Sequence, residues 1–177
     1  WGSGDPLEQA LADTFLFNAD LPEVNEEQLG INAVDRFIEK QNFEFKIYDQ
    51  SELLRDRKRL TAIFTLLVNA HYQTRPADLQ HILTNPNMVV CGIEISDQLI
   101  AVALLNREGP IKQAQVEANY NGKQLGNAHF LPQSLLANYG LKQVANLSFL
   151  RIMRIATLPH IKRIGIGSLL LSQIIQK

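Results

Sequence analysis

The fold is decided by Ser148-Phe149-Leu150-Arg151-Ile152-Met153-Arg154-Ile155-Ala156-Thr157-Leu158 and by two strings beyond Pro159: Lys162-Arg163-Ile164-Gly165-Ile166-Gly167-Ser168, then Leu169-Leu170-Leu171-Ser172-Gln173-Ile174-Ile175. The first string is apolar on both parities apart from its arginines, as in a central strand covered on both faces. Pro159 stops it. The last string reads as a helix that starts straight out of the glycine turn. A strand, a basic glycine turn and a helix N-terminus in succession form an anion site, because backbone N–H groups converge with the positive end of the helix dipole. Glycine is needed where the backbone approaches a phosphate and a side chain would intrude.

Outward from that segment, residues 109 to 146 are rich in Gly, Asn and Gln, with one helix predicted from Pro132 to Asn138. Before them, Met88 to Ile95 and Leu99 to Leu105 are rich in Val and Ile and flank Ser96-Asp97, which predicts a β-hairpin. A short helix over Ala77 to Leu83 comes after the first-turn proline Pro76. Leu53, Leu54, Leu60, Ile63, Phe64, Leu67, Val68 and His71 recur at the spacing of one buried helical face. Phe43, Phe45 and Ile47 alternate with Glu44, Lys46 and Tyr48, a strand signal. Residues 18 to 41 are polar and acidic with Pro22 and Gly30, and read as a connector with a helical turn around Ala33 to Ile38. Asp5-Pro6 opens a helix running to about Phe15 or Phe17.

The composition, 46% hydrophobic and 20% charged over 177 residues, is that of a globular domain and excludes disorder, collagen and coiled coil. No apolar run approaches the roughly 18 residues of a membrane helix, so no membrane partner is expected. One cysteine, Cys91, cannot close an internal disulfide, and His71, His81, His129 and His160 stand at no metal-ligand spacing. A reducing, cytoplasmic compartment and a metal-free site are the expectation. The net charge of −1 conceals an asymmetry: all 18 carboxylates lie at or before Glu117, while Lys123, Lys142, Arg151, Arg154, Lys162, Arg163 and Lys177 come later with no Asp or Glu among them. Such a segment creates positive potential wherever it forms a surface, and an anionic ligand is the natural inference. The alternative is that these cations pair with the acidic half across the fold.

Three nucleotide motifs compete for the glycine turn. A dinucleotide fingerprint wants a small residue three after Gly167, where Leu170 stands. A P-loop needs a glycine five before the Gly of a Gly-Lys pair, and Glu117 stands there relative to Gly122-Lys123. What remains is the [Gln/Arg]-x-x-Gly-x-[Gly/Ala] turn after the fourth strand of GNAT acetyltransferases, which Lys162-Arg163-Ile164-Gly165-Ile166-Gly167 resembles with Lys in the first position. The order strand, helix, helix, hairpin, excursion, strand, turn, helix is also the GNAT order. More narrowly, Ile63 to Leu79 (IFTLLVNAHYQTRPADL), Glu108-Gly109, Arg154-Ile155-Ala156, the turn, and the opening Trp1-Gly2-Ser3-Gly4-Asp5-Pro6-Leu7-Glu8 resemble the tRNA(Met) cytidine acetyltransferase family.

That resemblance implies an α/β fold, a GNAT-type mixed β-sheet flanked by helices and C-terminally incomplete in this chain, with residues 1–41 the end of an upstream helicase-like ATPase module plus linker and 42–177 the N-terminal part of the acetyltransferase domain. It implies acetyl transfer from acetyl-CoA to N4 of the wobble cytidine of elongator tRNA(Met), with ATP used by the absent upstream module and tRNA as the partner. The cofactor would lie on Ile155, Ala156 and Thr157 of the strand and on Lys162, Arg163, Ile164, Gly165, Ile166, Gly167 and Ser168 of the turn. No residue is singled out as a catalytic base, and the fragment alone is expected to be inactive. The family tends to have Val-His-Pro after Arg-Ile-Ala; here Thr157-Leu158-Pro159 stands there, so no role passes to His160. Rival readings are a GNAT enzyme for another amine and a non-catalytic RNA-binding module of the same fold.

Other residues carry simpler expectations. His71 and Cys91 read as core, as do Phe43, Phe45 and Phe64, while Tyr72, Tyr120 and Tyr139 are candidates for stacking on bases. Arg151 and Arg154, three apart on a strand, are expected to face opposite sides of the sheet. Neutralising Lys123 with Lys142 is expected to flatten the salt dependence of RNA binding by about two units.

Overall fold

The computed structural model describes residues 30–70, 76–112, 116–118 and 129–177. The N-terminal helix, His71, Tyr72, Tyr120 and Lys123 lie outside them. The described elements are α1 (Ile31–Glu39), β1 (Glu44–Tyr48), α2 (Gln50–Leu53), α3 (Arg57–Ala70), α4 (Pro76–Thr84), β2 (Met88–Ile95), β3 (Gln98–Glu108), α5 (Phe130–Tyr139), β4 (Phe149–Thr157) and α6 (Ile166–Gln176). Short 3-10 turns at Lys142–Asn146 and Pro159–Ile161 flank β4.

The four strands pair antiparallel in the order β1-β2-β3-β4. All the described pairing is antiparallel, and none of the parallel pairing that would make the sheet mixed falls among these residues. The hairpin forms as its sequence predicts: Ser96 and Asp97 both take positive φ, 49° and 62°, the backbone of a tight turn matched to strand twist. The apolar spacing from Leu53 onward yields two helices rather than one. Asp49 caps α2 by accepting from the Ser51 and Glu52 N–H groups at 2.8 and 3.3 Å, α2 ends at Leu53, and α3 starts afresh at Arg57. Between Gly30 and Lys40 the chain forms a nine-residue helix, longer than one turn, because Val34 is fully buried with Phe37 and Ile38 packed around the main core.

That core gathers Ile63, Phe64 and Leu67 of α3, the inward side chains of β2 and β3, and Ile166 and Leu170 of α6. A smaller one, around Ile111, Val116, Leu136 and Val144, sits under α5. Cys91, 1% exposed, has its thiol pKa pushed up to about 12 by burial, and it behaves as a small hydrophobe. Gly92 is required by packing: a Cβ there would lie 2.6 Å from the Ala101 carbonyl oxygen, a backbone atom that cannot move without its strand.

On the α3 side of the sheet the buried carboxylate of Glu94 accepts from Lys46 Nζ at 2.9 Å, from Tyr48 Oη at 2.6 Å and from Arg59 Nη1, while Arg59 Nη2 reaches Asp97 at 3.0 Å. One acid thus ties β1, the hairpin and α3 together. Glu94→Leu strands Tyr48 Oη and removes the charge that Arg59 and Lys46 share. The expected loss is about 2–4 kcal/mol of unfolding free energy by urea titration, and an unchanged midpoint would show the network to be idle.

Candidate functional site

The glycine turn has an unusual backbone. Arg163 and Gly165, on either side of Ile164, both lie in the left-handed region, at φ 72° and 84°. For Arg163 this is a conformation that costs about 1 kcal/mol or more, offset by burying Ile161, Ile166 and Leu170 on either side of the turn. The winding leaves Gly165 as the N-cap of α6 with no side chain capping the helix. The first N–H groups of a helix have no partner within it, so those of Ile166, Gly167 and Ser168 point outward from the helix start. A Cβ added at Gly165 or at Gly167 would meet nothing within 4 Å, so open space lies beside both. Lys162, Arg163, Gly165 and Ser168 are not buried, and Ile164 is half-buried. Unpartnered N–H groups, a helix dipole and two bare glycines facing open space fit the diphosphate of an acyl carrier such as acetyl-CoA.

Strand β4 supplies the second half. It pairs only with β3 among the described strands, so one edge is open. Leu158 N–H donates to Ile100 O at 3.0 Å across the Thr157↔Ala101 pair. In an antiparallel ladder that makes Thr157 a pair whose own N–H and C=O point away from β3, and alternation gives Ile155 the same orientation, with Ala156 turned inward. The open edge at Ile155 and Thr157 therefore presents free donors and acceptors a few residues before the turn, ready to pair with an extended amide-bearing chain. Ala156 itself is buried.

The expectation that β4 is covered on both faces fails. Leu150, Ile152 and Met153 are 45, 43 and 38% exposed, because among the described residues no second strand pairs with β4 and no helix fully covers its first half. α6 runs back along one face, where Ile174 and Lys177 line a cleft of about 420 Å³ with Phe45, Ile47, Cys91 and Leu150. That cleft lies at the far end of α6 from the turn.

A second correction concerns the arginines. The register shifts between Leu104 and Leu105, so that Arg154 pairs with Leu104 and Ile152 with Leu105, leaving Met153 as the extra residue of a bulge. Arg151 pairs with Asn106, and Leu104 and Asn106 share a face of β3, so Arg151 and Arg154 also share one. It is the face opposite α6. Spacing alone could not show this, since a one-residue bulge inverts every parity beyond it.

Sequence reasoning also missed what Arg151 holds. Its Nε donates to Oε1 of Glu108, whose side chain is fully buried. The same carboxylate accepts from Leu131 N–H at 2.7 Å, in the first turn of α5, and from Asn106 Nδ2 at 3.2 Å. Burial pushes the Glu108 pKa up, but these three donors outweigh it and hold the carboxyl below its ordinary range. The neighbouring Gly109 N–H donates to His129 Nδ1 at 2.9 Å. The signal was in the Glu108-Gly109 pair, although nothing in its spacing pointed to Arg151. The alternative reading of the basic segment, pairing with the acidic half, therefore holds for Arg151. Lys142 and Arg154 also have partners.

A family model described as GNAT acetyltransferase 2 matches residues 62–177, which include the sheet's last three strands, the turn and α6. The chain belongs to this family. Within the GNAT acetyltransferase 2 family its relatives include the tRNA(Met) cytidine acetyltransferases TmcA of Nitrosococcus halophilus, 37% identical over 177 residues, and of Vibrio cholerae serotype O1, 35% identical over 175 residues. These alignments take in 100% and 99% of this chain but 23% of each relative, so the chain spans about a quarter of the length of the curated relatives it matches. TmcA of Saccharolobus islandicus is 31% identical over 179 residues. The resemblance read from the motifs thus extends over the whole chain, and the GNAT fold expected from the element order stands. Among the described residues no helix is long and apolar enough to cross a membrane, and no group of three or more His, Cys, Asp or Glu could hold a metal ion.

Proposed function

We propose that this chain is the cofactor-binding part of an enzyme that transfers acetyl from acetyl-CoA to N4 of the wobble cytidine of elongator tRNA(Met). ATP would be used by an upstream module of the kind the relatives' extra length accommodates, and tRNA places the reaction in the cytoplasm. The observation that carries this reading is the pairing of an uncapped glycine turn with the open edge of β4, in a chain similar throughout to tRNA(Met) cytidine acetyltransferases. In the reaction the amine nitrogen forms a bond to the thioester carbonyl carbon, the C–S bond breaks, CoA leaves as the thiol, and the amine gives up a proton.

The chain's own residues divide that work. Main-chain N–H groups from Ile164 to Ser168 hold the diphosphate, with Lys162 and Arg163 adding positive charge at its rim. The outward N–H groups of Ile155 and Thr157 align the pantetheine amides, and one of them donates to the acetyl carbonyl as charge develops on its oxygen. Ile166 and Leu170, both buried, fix the turn against the sheet.

The test is an acetyl-CoA titration of the natural-length protein, followed by competition among acceptors. Saturable binding with acetylation of tRNA(Met) in preference to peptide amines is the expected result. Preference for a peptide or small amine would reassign the acceptor, and failure to bind acetyl-CoA would reduce the chain to a non-catalytic module.

A further inference from the structure

Arg151 is built more elaborately than an ion pair requires. Its Nε is taken by a fully buried carboxylate, its guanidinium lies 5.5 Å from the centre of the Phe130 ring, and that ring is 59% exposed. Nη1 and Nη2 engage no other described residue, while the side chain keeps 30% of its surface in solvent. Glu108 is satisfied by Leu131 N–H and Asn106 Nδ2 as well as by Arg151, so only one edge of the guanidinium is used in holding it. What the arrangement does deliver is a planar fork fixed from behind by Glu108 and from one face by Phe130, with its two outer N–H edges presented to a ligand. A fork of that shape matches the oxygens of a phosphate.

Location selects the ligand. The turn belongs to α6, and α6 lies on one face of the sheet; Arg151 lies on the other, the α3 side, next to the start of α5, where 30% of its side chain stays in solvent. Arg151 precedes Ile155 by four strand residues, about 13 Å, near enough to reach a phosphate flanking a base whose amine is at the thioester. No carboxylate occurs after Glu117, so no exposed acid of the C-terminal third competes for the fork.

We propose that Arg151, positioned by Glu108 and stacked on Phe130, binds a backbone phosphate of the RNA acceptor next to the acetylated nucleotide. This rests on the reading of the acceptor as tRNA. An exposed Phe130 ring beside the fork adds a surface on which a neighbouring base stacks.

The test measures binding of an elongator tRNA(Met) transcript to the natural-length protein across a range of salt, for wild type, Arg151→Lys, and the double variant Glu108→Gln with Arg151→Gln. The double variant replaces a buried ion pair by a pair of amides, so no unpaired charge is left behind if Arg151 is lost. It should bind RNA about tenfold more weakly at low salt, with the slope of log affinity against log salt shallower by about one, while acetyl-CoA affinity is unchanged. Arg151→Lys should keep the slope, since charge is retained, yet lose affinity because the fork is gone. A purely structural role would lower acetyl-CoA and RNA binding together and leave the slope alone. If wild type binds the transcript and the double variant shows the same slope, the Arg151 contact is overturned while the tRNA reading survives. If wild type shows no salt-dependent binding, both fall.

Discussion

Gly165→Val should weaken acetyl-CoA binding by about a hundredfold or more, and by more than Lys162→Ala. Two effects add at Gly165. Its φ of 84° is a left-handed conformation that β-branched residues avoid, and the space its missing Cβ leaves open is where the diphosphate would sit. Lys162 offers at most one charge-assisted contact from an exposed side chain, so its removal should cost about 1–3 kcal/mol. Gly167 separates the two effects at Gly165. It lies inside α6 without a positive φ and also faces open space, so Gly167→Val acts through volume alone and should fall between the other two. Isothermal titration with acetyl-CoA, with folding checked by circular dichroism, decides the order. Loss of binding in Lys162→Ala with retention in Gly165→Val would mean that the turn does not cradle a diphosphate.

Glu108→Ala is expected to be the most damaging change on the opposite face, lowering stability by about 3–5 kcal/mol. It removes at once the acceptor for Arg151 Nε, for Leu131 N–H at the start of α5 and for Asn106 Nδ2, whose own Oδ1 is already buried without a partner. The pH dependence comes from the depressed carboxyl of Glu108. A group held below its unfolded value contributes stability above that unfolded value and loses it as pH falls through the folded one. Wild type should therefore lose stability on acidification below the ordinary carboxylate range more steeply than Glu108→Gln, measured as urea midpoints at successive pH values. Parallel pH profiles would show that Glu108 is not held ionised by its three donors.

Much of this was legible in the sequence because it depends on local chemistry. Ser96-Asp97 between two β-branched runs marked a hairpin, Pro159 marked a strand end, and Gly165-Ile166-Gly167 before an apolar run marked the turn into a helix. What was not legible depends on register and on distant partners. The bulge at Met153 arises from how β4 meets β3, and no property of Met153 announces it, so strand parity alone puts the two arginines on opposite sides. Glu94 and Glu108 look like ordinary strand acids on paper; only the fold reveals that Arg59, 35 residues away, and Arg151, 43 residues away, come to meet them.

If this turn and strand edge serve acetyl transfer to a cytidine amine, the acetyl group itself can be traced. The most direct measurement is nucleoside mass analysis of elongator tRNA(Met) incubated with the natural-length protein, ATP and acetyl-CoA carrying a heavy-isotope acetyl group. The predicted result is label on the wobble cytidine as an alkali-labile N4-acetyl group, abolished by Gly165→Val. Label on a protein amine or on no acceptor, or full labelling of the tRNA by the Gly165→Val variant, would contradict it.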